Sequence, residues 1–138
     1  MVEGAVTGHH PKALILIVED ELASLMLATA ALEGAGFAAE GAESAEVARI
    51  VVARRNPNLI LMDIQVPEMD GLELTKELKS DPVTATIPVV ALTAHSMPLY
   101  ERAARAAGCT GFIPKPVSPG VLVAQVQAFL DGSNGDRS

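Results

Sequence analysis

The chain has 138 residues and a formal charge of −7, from 10 Lys and Arg against 17 Asp and Glu. That is the size of one ordinary domain, with the wrong sign of charge for direct nucleic-acid binding. Apolar residues at 49% and charged residues at 20% exclude a disordered or fibrous chain, and a domain of this length buries roughly 68% of its unfolded surface, enough for a core without staples.

Residues 1–11 (MVEGAVTGHHP) have no hydrophobic period and read as a flexible arm; His9 and His10 are adjacent, lack a third ligand and read as a solvated pair. The first apolar run is ALILIV (13–18), followed by a helical period over 22–35 that Gly36 stops. A weak run over 37–40 precedes a helix over 44–55, N-capped by Ser44 and ended by Asn56-Pro57. NLILM (58–62) is followed by a helix over 71–79, where Asp70 and Glu73 form a capping-box pattern. IPVVAL (87–92) precedes a helix over 97–107, with Ser96 as cap and Pro98 in the first turn. TGFI (110–113) and a helix over 119–130 behind Ser118-Pro119 complete the series, and 132–138 read as a flexible tail. The domain is expected over 12–131.

Runs that are continuously apolar rather than alternating mark strands covered on both faces. Five such runs alternating with five helices predict an α/β fold, a doubly wound, five-stranded parallel sheet. No run approaches the roughly 18 residues of a membrane span and no signal-peptide pattern is present, so the chain is expected to be soluble and cytoplasmic. Aromatic residues are only 3%, with no Trp, so the core must be aliphatic and an aromatic stacking site is not expected. Cys109 is the single cysteine; it excludes an internal disulfide and paired-cysteine metal or redox sites and reads as a small core residue.

Ligands of such sheets bind beyond the carboxyl ends of the strands. Glu19-Asp20-Glu21 follow the first strand, Asp63 the third, Thr93 the fourth and Lys115 the fifth, so all fall on one rim. Acidic residues after the first strand also fit a solvated helix N-terminus. Asp63 ends the most apolar strand, where an unpartnered carboxylate is costly. Gathered carboxylates repel, and a hard divalent ion such as Mg²⁺ relieves the conflict. With Lys115 as a compact cation and Thr93 as a hydroxyl donor, the set suits a carboxylate nucleophile that accepts a phosphoryl group.

These residues, in the segments ILIVEDE (15–21), LILMDIQVPEMDGLEL (59–74), VVALTA (89–94) and GFIPKPVS (111–118), resemble the receiver domain of two-component response regulators, most closely single-domain receivers of the DivK type and those of hybrid-kinase phosphorelays. The resemblance implies a flavodoxin-like strand order 2-1-3-4-5 and Asp63 as phosphoacceptor. It implies Mg²⁺ held by Asp20 directly, by Glu19 mostly through water, by Asp63 and by the backbone carbonyl of Gln65. Thr93 and Lys115 would contact the phosphoryl group, and the Lys115-Pro116 peptide resembles the family's cis bond. Glu19 stands where many receivers have Asp, which keeps the charge but shifts the metal geometry. Phe112 takes the place of the switch aromatic, often Tyr, without a hydroxyl; the alternative is ordinary core packing. Gln65 and His95 flank the attack site by analogy.

The resemblance also implies a histidine kinase or histidine phosphotransfer protein as donor, and a protein target on the face of the fourth helix, fifth strand and fifth helix. The chain is expected to act as a monomer or weak dimer, with no nucleic acid, no membrane and no separate output domain. It is not expected to be an enzyme beyond its own Mg²⁺-dependent phosphorylation and dephosphorylation. A binding module regulated without phosphorylation is the alternative. A flavin or dinucleotide binder needs a Gly- or Ser/Thr-rich loop where EDELAS stands, and a dehalogenase-like phosphatase needs a DxD pattern after the first strand.

Overall fold

The computed structural model describes residues 13–64, 71–93, 98–115 and 118–131. The expected arm 1–11 and tail 132–138, with His9 and His10, lie outside the described residues, as do the caps Asp70 and Ser96. Ten elements alternate strictly: β1 (Leu14–Val18), α1 (Leu22–Gly34), β2 (Ala38–Ala42), α2 (Ala45–Arg55), β3 (Leu59–Asp63), α3 (Gly71–Ser80), β4 (Val89–Thr93), α4 (Pro98–Ala107), β5 (Gly111–Pro114) and α5 (Pro119–Asp131). All strand pairs are parallel, in the order β2-β1-β3-β4-β5. This is the expected doubly wound sheet.

The continuous apolar runs are explained by two cores. Ile15, Ile17, Leu59, Leu61, Val90 and Leu92 face a cluster completed by Leu25 and Leu32 of α1 and Leu122 and Val126 of α5. Their sequence neighbours Leu16, Val18, Ile60, Met62, Val89 and Ala91 face the opposite cluster, with Ala48 and Val51 of α2, Leu74 and Leu78 of α3 and Ala104 of α4. The three inner strands β1, β3 and β4 therefore bury both sets of alternate side chains, and each large aliphatic contributes about 1.5–3 kcal/mol. Cys109 is buried in the second cluster, which raises its thiol pKa chiefly by desolvation, as a packing residue should.

The helix ends follow the sequence closely. After α1, Gly36 takes φ 101°; its N–H donates to the Glu33 carbonyl, and the Phe37 N–H donates to that of Leu32. This is a Schellman closure, with Phe37 and Leu32 buried in the same cluster. Ser44 caps α2 and Ser118 caps α5, their hydroxyls accepting from the Val47 and Val121 N–H groups at 3.2 and 3.3 Å. Asn56 ends α2 in the left-handed region at φ 52°, immediately before Pro57.

The strands differ from expectation at their ends. β2 runs to Ala42 rather than stopping at 40, because its ladder with β1 continues through Gly41 and Ala42. Asp63 and Thr93 are the last residues of their strands rather than the first after them, since the ladders continue through Asp63 with Leu92 and Thr93 with Pro114. A polar residue can close a parallel strand in this way because its backbone stays paired while its side chain emerges at the rim. Lys79 also does more than end a helix. Its ammonium donates to the carbonyls of Ala85 and Ile87 at 3.0 and 2.6 Å, fastening the chain that leads into β4.

Candidate functional site

The sheet brings Glu19, Asp63, Thr93 and Lys115 to one edge. Glu19 follows β1 directly and is held there by its N–H, which donates to the Ala42 carbonyl at 2.9 Å. The residue is only 2% exposed, and its two side-chain oxygens are both engaged: Oε1 lies 3.1 Å from Lys115 Nζ, and Oε2 accepts from the Glu21 N–H at 3.2 Å. Asp63, 4% exposed, places Oδ2 3.2 Å from the same ammonium. Lys115 thus bridges two buried carboxylates.

The remaining members sit close by. Asp20 is exposed at the mouth of the site, and carboxylate oxygens of Glu19, Asp20 and Asp63 lie within 4.8 Å of one another. Thr93 is buried at the end of β4, and its carbonyl accepts the Lys115 N–H at 2.7 Å, so the two residues are tied through their backbones. Gln65, His95 and the Lys115-Pro116 peptide lie outside the described residues. Gly71 secures the floor: a Cβ there would stand 2.7 Å from both the Asp63 carbonyl oxygen and Ile64 Cα, so only glycine lets α3 start against the end of β3 without moving backbone.

The acidic run is therefore not simply a solvated helix N-terminus. Glu21 and Asp20 fit that description, and the Glu21 carboxylate accepts from the Ser24 hydroxyl at 2.8 Å. Glu19 does not fit it. Burial raises the pKa of its carboxyl, partly opposed by the Lys115 hydrogen bond and reinforced by the charge of Asp63. For Lys115, burial acts to lower the pKa, but its bond to Glu19 and the charges of Asp63 and Glu19 outweigh this and raise it. The ammonium stays charged because two carboxylates need it. The donor set, all hard carboxylate oxygen with one ligand at the mouth, suits Mg²⁺, which takes few carboxylates and retains waters.

Two features were not anticipated. α1 carries no charged residue from 22 to 32, and Leu22, Met26 and Leu27 are 61%, 61% and 59% exposed. Leu27 borders a cleft of about 460 Å³, lined by Glu19, Glu21, Ser24 and Leu27 on one side and by Lys115 and Leu122 on the other, whereas Met26 lies on the other flank of α1 beside Leu25, Thr29 and Gly41. The absence of any polar face in the α1 sequence was the available signal. Secondly, the guanidinium of Arg105 lies over the Phe112 ring, 4.9 Å from its centroid.

A parallel α/β sheet with a lysine-bridged acidic pocket at its carboxyl rim defines a class of domain suited to phosphoryl acceptance. Comparison with known proteins gives the family: the pattern described as response regulator receiver domain matches residues 15–127, and the chain belongs to that family. It is 37% identical over 116 residues to the polar-differentiation response regulator DivK of Brucella ovis, covering 84% of this chain and 94% of that one. The corresponding protein of Brucella anthropi is 38% identical over 124 residues, covering 87% and 97%. Among solved structures, the chemotaxis response regulator CheY4 of Vibrio cholerae superposes with a TM-score of 0.80 at 26% identity, covering 84% of this chain and 97% of that one. A CheY-like receiver domain protein of Methanospirillum hungatei gives 0.81 at 28% identity, covering 88% and 95%. No helix among the described residues is long and apolar enough to cross a membrane.

Proposed function

We propose that this chain is a cytoplasmic response regulator that accepts a phosphoryl group on Asp63 from a histidine kinase or histidine phosphotransfer protein, and that it signals through protein contacts. The observation that carries this reading is the Lys115 ammonium placed between buried Glu19 and Asp63, with Asp20 at the mouth. Such a pocket sets a carboxylate nucleophile beside a cation that can meet an incoming anion. Residues 12–131 form the receiver unit, a monomer or weak dimer.

An oxygen of the Asp63 carboxylate attacks phosphorus in line; the new O–P bond forms as the donor's N–P bond breaks, and the electron pair returns to the imidazole nitrogen. Lys115 shifts from the carboxylates to a phosphoryl oxygen, and the Thr93 hydroxyl donates to another. Asp20, Asp63, the Gln65 carbonyl and, through water, Glu19 would hold Mg²⁺, which supplies charge neutralisation at the transferring oxygens. Movement of Thr93 admits the Phe112 ring, and the face formed by α4, β5 and α5 changes shape for its target. Water later hydrolyses the acyl phosphate, the only other reaction assigned to the chain.

The test is incubation of the wild-type chain with acetyl phosphate and Mg²⁺, followed by borohydride reduction and peptide mass spectrometry. Homoserine at position 63 is expected. No uptake, or uptake mapped elsewhere, leaves a receiver fold used for binding without phosphorylation.

Exposed Leu27 of α1 lines the cleft that also holds Glu19 and Lys115, on a side open to a protein donor. A charge placed there, Leu27→Glu, is expected to slow transfer from a phosphorylated histidine phosphotransfer domain roughly tenfold while leaving uptake from acetyl phosphate unchanged. Equal slowing with both donors would remove Leu27 from the docking surface.

A further inference from the structure

Phe112 on β5 is half-buried, packed on the core cluster beneath α2, α3 and α4, with Ala91 as its cross-strand neighbour. Arg105 projects from α4, whose inner face at this level is the small, buried Ala104. Its guanidinium carbon stands 4.9 Å from the ring centroid, inside the range of about 6 Å over which a cation is drawn to the negative face of an aromatic ring. Arg105 makes no ion pair among the described residues. Its charge is available to the ring.

We propose that Arg105 is a latch on Phe112, holding the ring half-buried in the unphosphorylated protein and opposing the fuller burial that accompanies phosphorylation of Asp63. The inference rests on the reading of Phe112 as the switch residue. A phenylalanine has no hydroxyl with which to fix its outer position by a hydrogen bond, so the face contact with a cation supplies that restraint. The restraint is released on inward movement, because a guanidinium on an exposed helix position cannot follow the ring into an apolar core without losing its hydration. Arg105 thereby sets how strongly the site must be loaded before the ring moves. It acts as a positioning residue, through Phe112, without touching the phosphoryl group.

The experiment is an amide chemical-shift titration of the full chain with beryllofluoride at saturating Mg²⁺, comparing wild type with Arg105→Ala and Arg105→Met. Removing the latch favours the loaded state, so Arg105→Ala is expected to lower the midpoint about two- to fivefold. Arg105→Met, which covers the ring without charge, should behave like Arg105→Ala, and Mg²⁺ binding alone should be unchanged in both. In a Phe112→Leu background, Arg105→Ala should have no further effect. Unchanged midpoints, a Met variant equal to wild type, or a shift that persists without Phe112 would overturn the latch. Failure of the wild type to bind beryllofluoride at all would instead overturn the phosphoacceptor reading beneath it.

Discussion

Asp63→Asn is expected to abolish acyl-phosphate formation with acetyl phosphate and Mg²⁺ while making the metal-free protein more stable. The amide oxygen can still accept from Lys115, whose ammonium lies 3.2 Å from Oδ2, so the pocket keeps its shape. What disappears is the oxygen proposed as the nucleophile and one of two like charges beside a single lysine. A gain of about 1 kcal/mol in urea unfolding with chelator present is anticipated, typical of a site arranged for function rather than stability. Glu19 reports the same change through pH. Burial holds its folded pKa above the ordinary 4.5, so its contribution to stability is present below that value and is lost as pH rises through the raised pKa. Because the Asp63 charge reinforces the shift, the decline should be shallower in Asp63→Asn. Mg²⁺ should stabilise this variant less than wild type, having lost a ligand. Label retained at the wild-type level, or a loss of stability, would contradict the assignment.

The legibility of the site follows from the geometry of a parallel sheet. Strands covered on both faces announce themselves as unbroken apolar runs, and their ends therefore point to Asp63, Thr93 and Lys115 without structural knowledge. The receiver resemblance supplied roles for those positions, and the fold places them on a common rim. β2 was harder to delimit: its residues AAEGA include no large apolar side chain, because as an edge strand it has one sheet neighbour and carries Glu40 paired to Arg55 at 2.6 Å. Only the register with β1 reveals its full length.

Contacts between distant segments were not readable at all. That Glu19, rather than Asp20 or Glu21, turns inward depends on Lys115, 96 positions away in the chain, and on the neighbouring Glu21 N–H. The run EDE gives three acids in succession and no means of ranking their burial. The Arg105–Phe112 contact is of the same kind. Each residue has an ordinary explanation in the sequence, as a helix-surface cation and a strand aromatic, and only the packing of α4 across β5 brings the charge over the ring.

Lys115→Met tests the opposite side of the charge balance from Asp63→Asn and should have the larger effect on stability. The substitution keeps most of the apolar stem but leaves Glu19 and Asp63, 3% and 5% exposed at their side chains, facing each other without the cation that stood 3.1 and 3.2 Å from them. Breaking a buried pair by removing one partner costs 3–5 kcal/mol in general terms, that is about 3 kcal/mol at the low end; the quarter exposure of Lys115 lets water screen the site and brings the expectation to about 2 kcal/mol. Against a total stability of about 5–15 kcal/mol, this is readily measured by urea unfolding in chelator. Acidification should restore stability, since protonating a carboxyl whose folded pKa is raised favours the folded state. Mg²⁺ should restore it too, and with greater affinity than in wild type, because the lysine that competes with it for the carboxylates is gone. The two variants thus move metal affinity in opposite directions, Asp63→Asn downward and Lys115→Met upward. A Lys115→Met protein as stable as wild type in chelator, or one that Mg²⁺ fails to stabilise, would show that the lysine is not the resident counter-ion of the pocket.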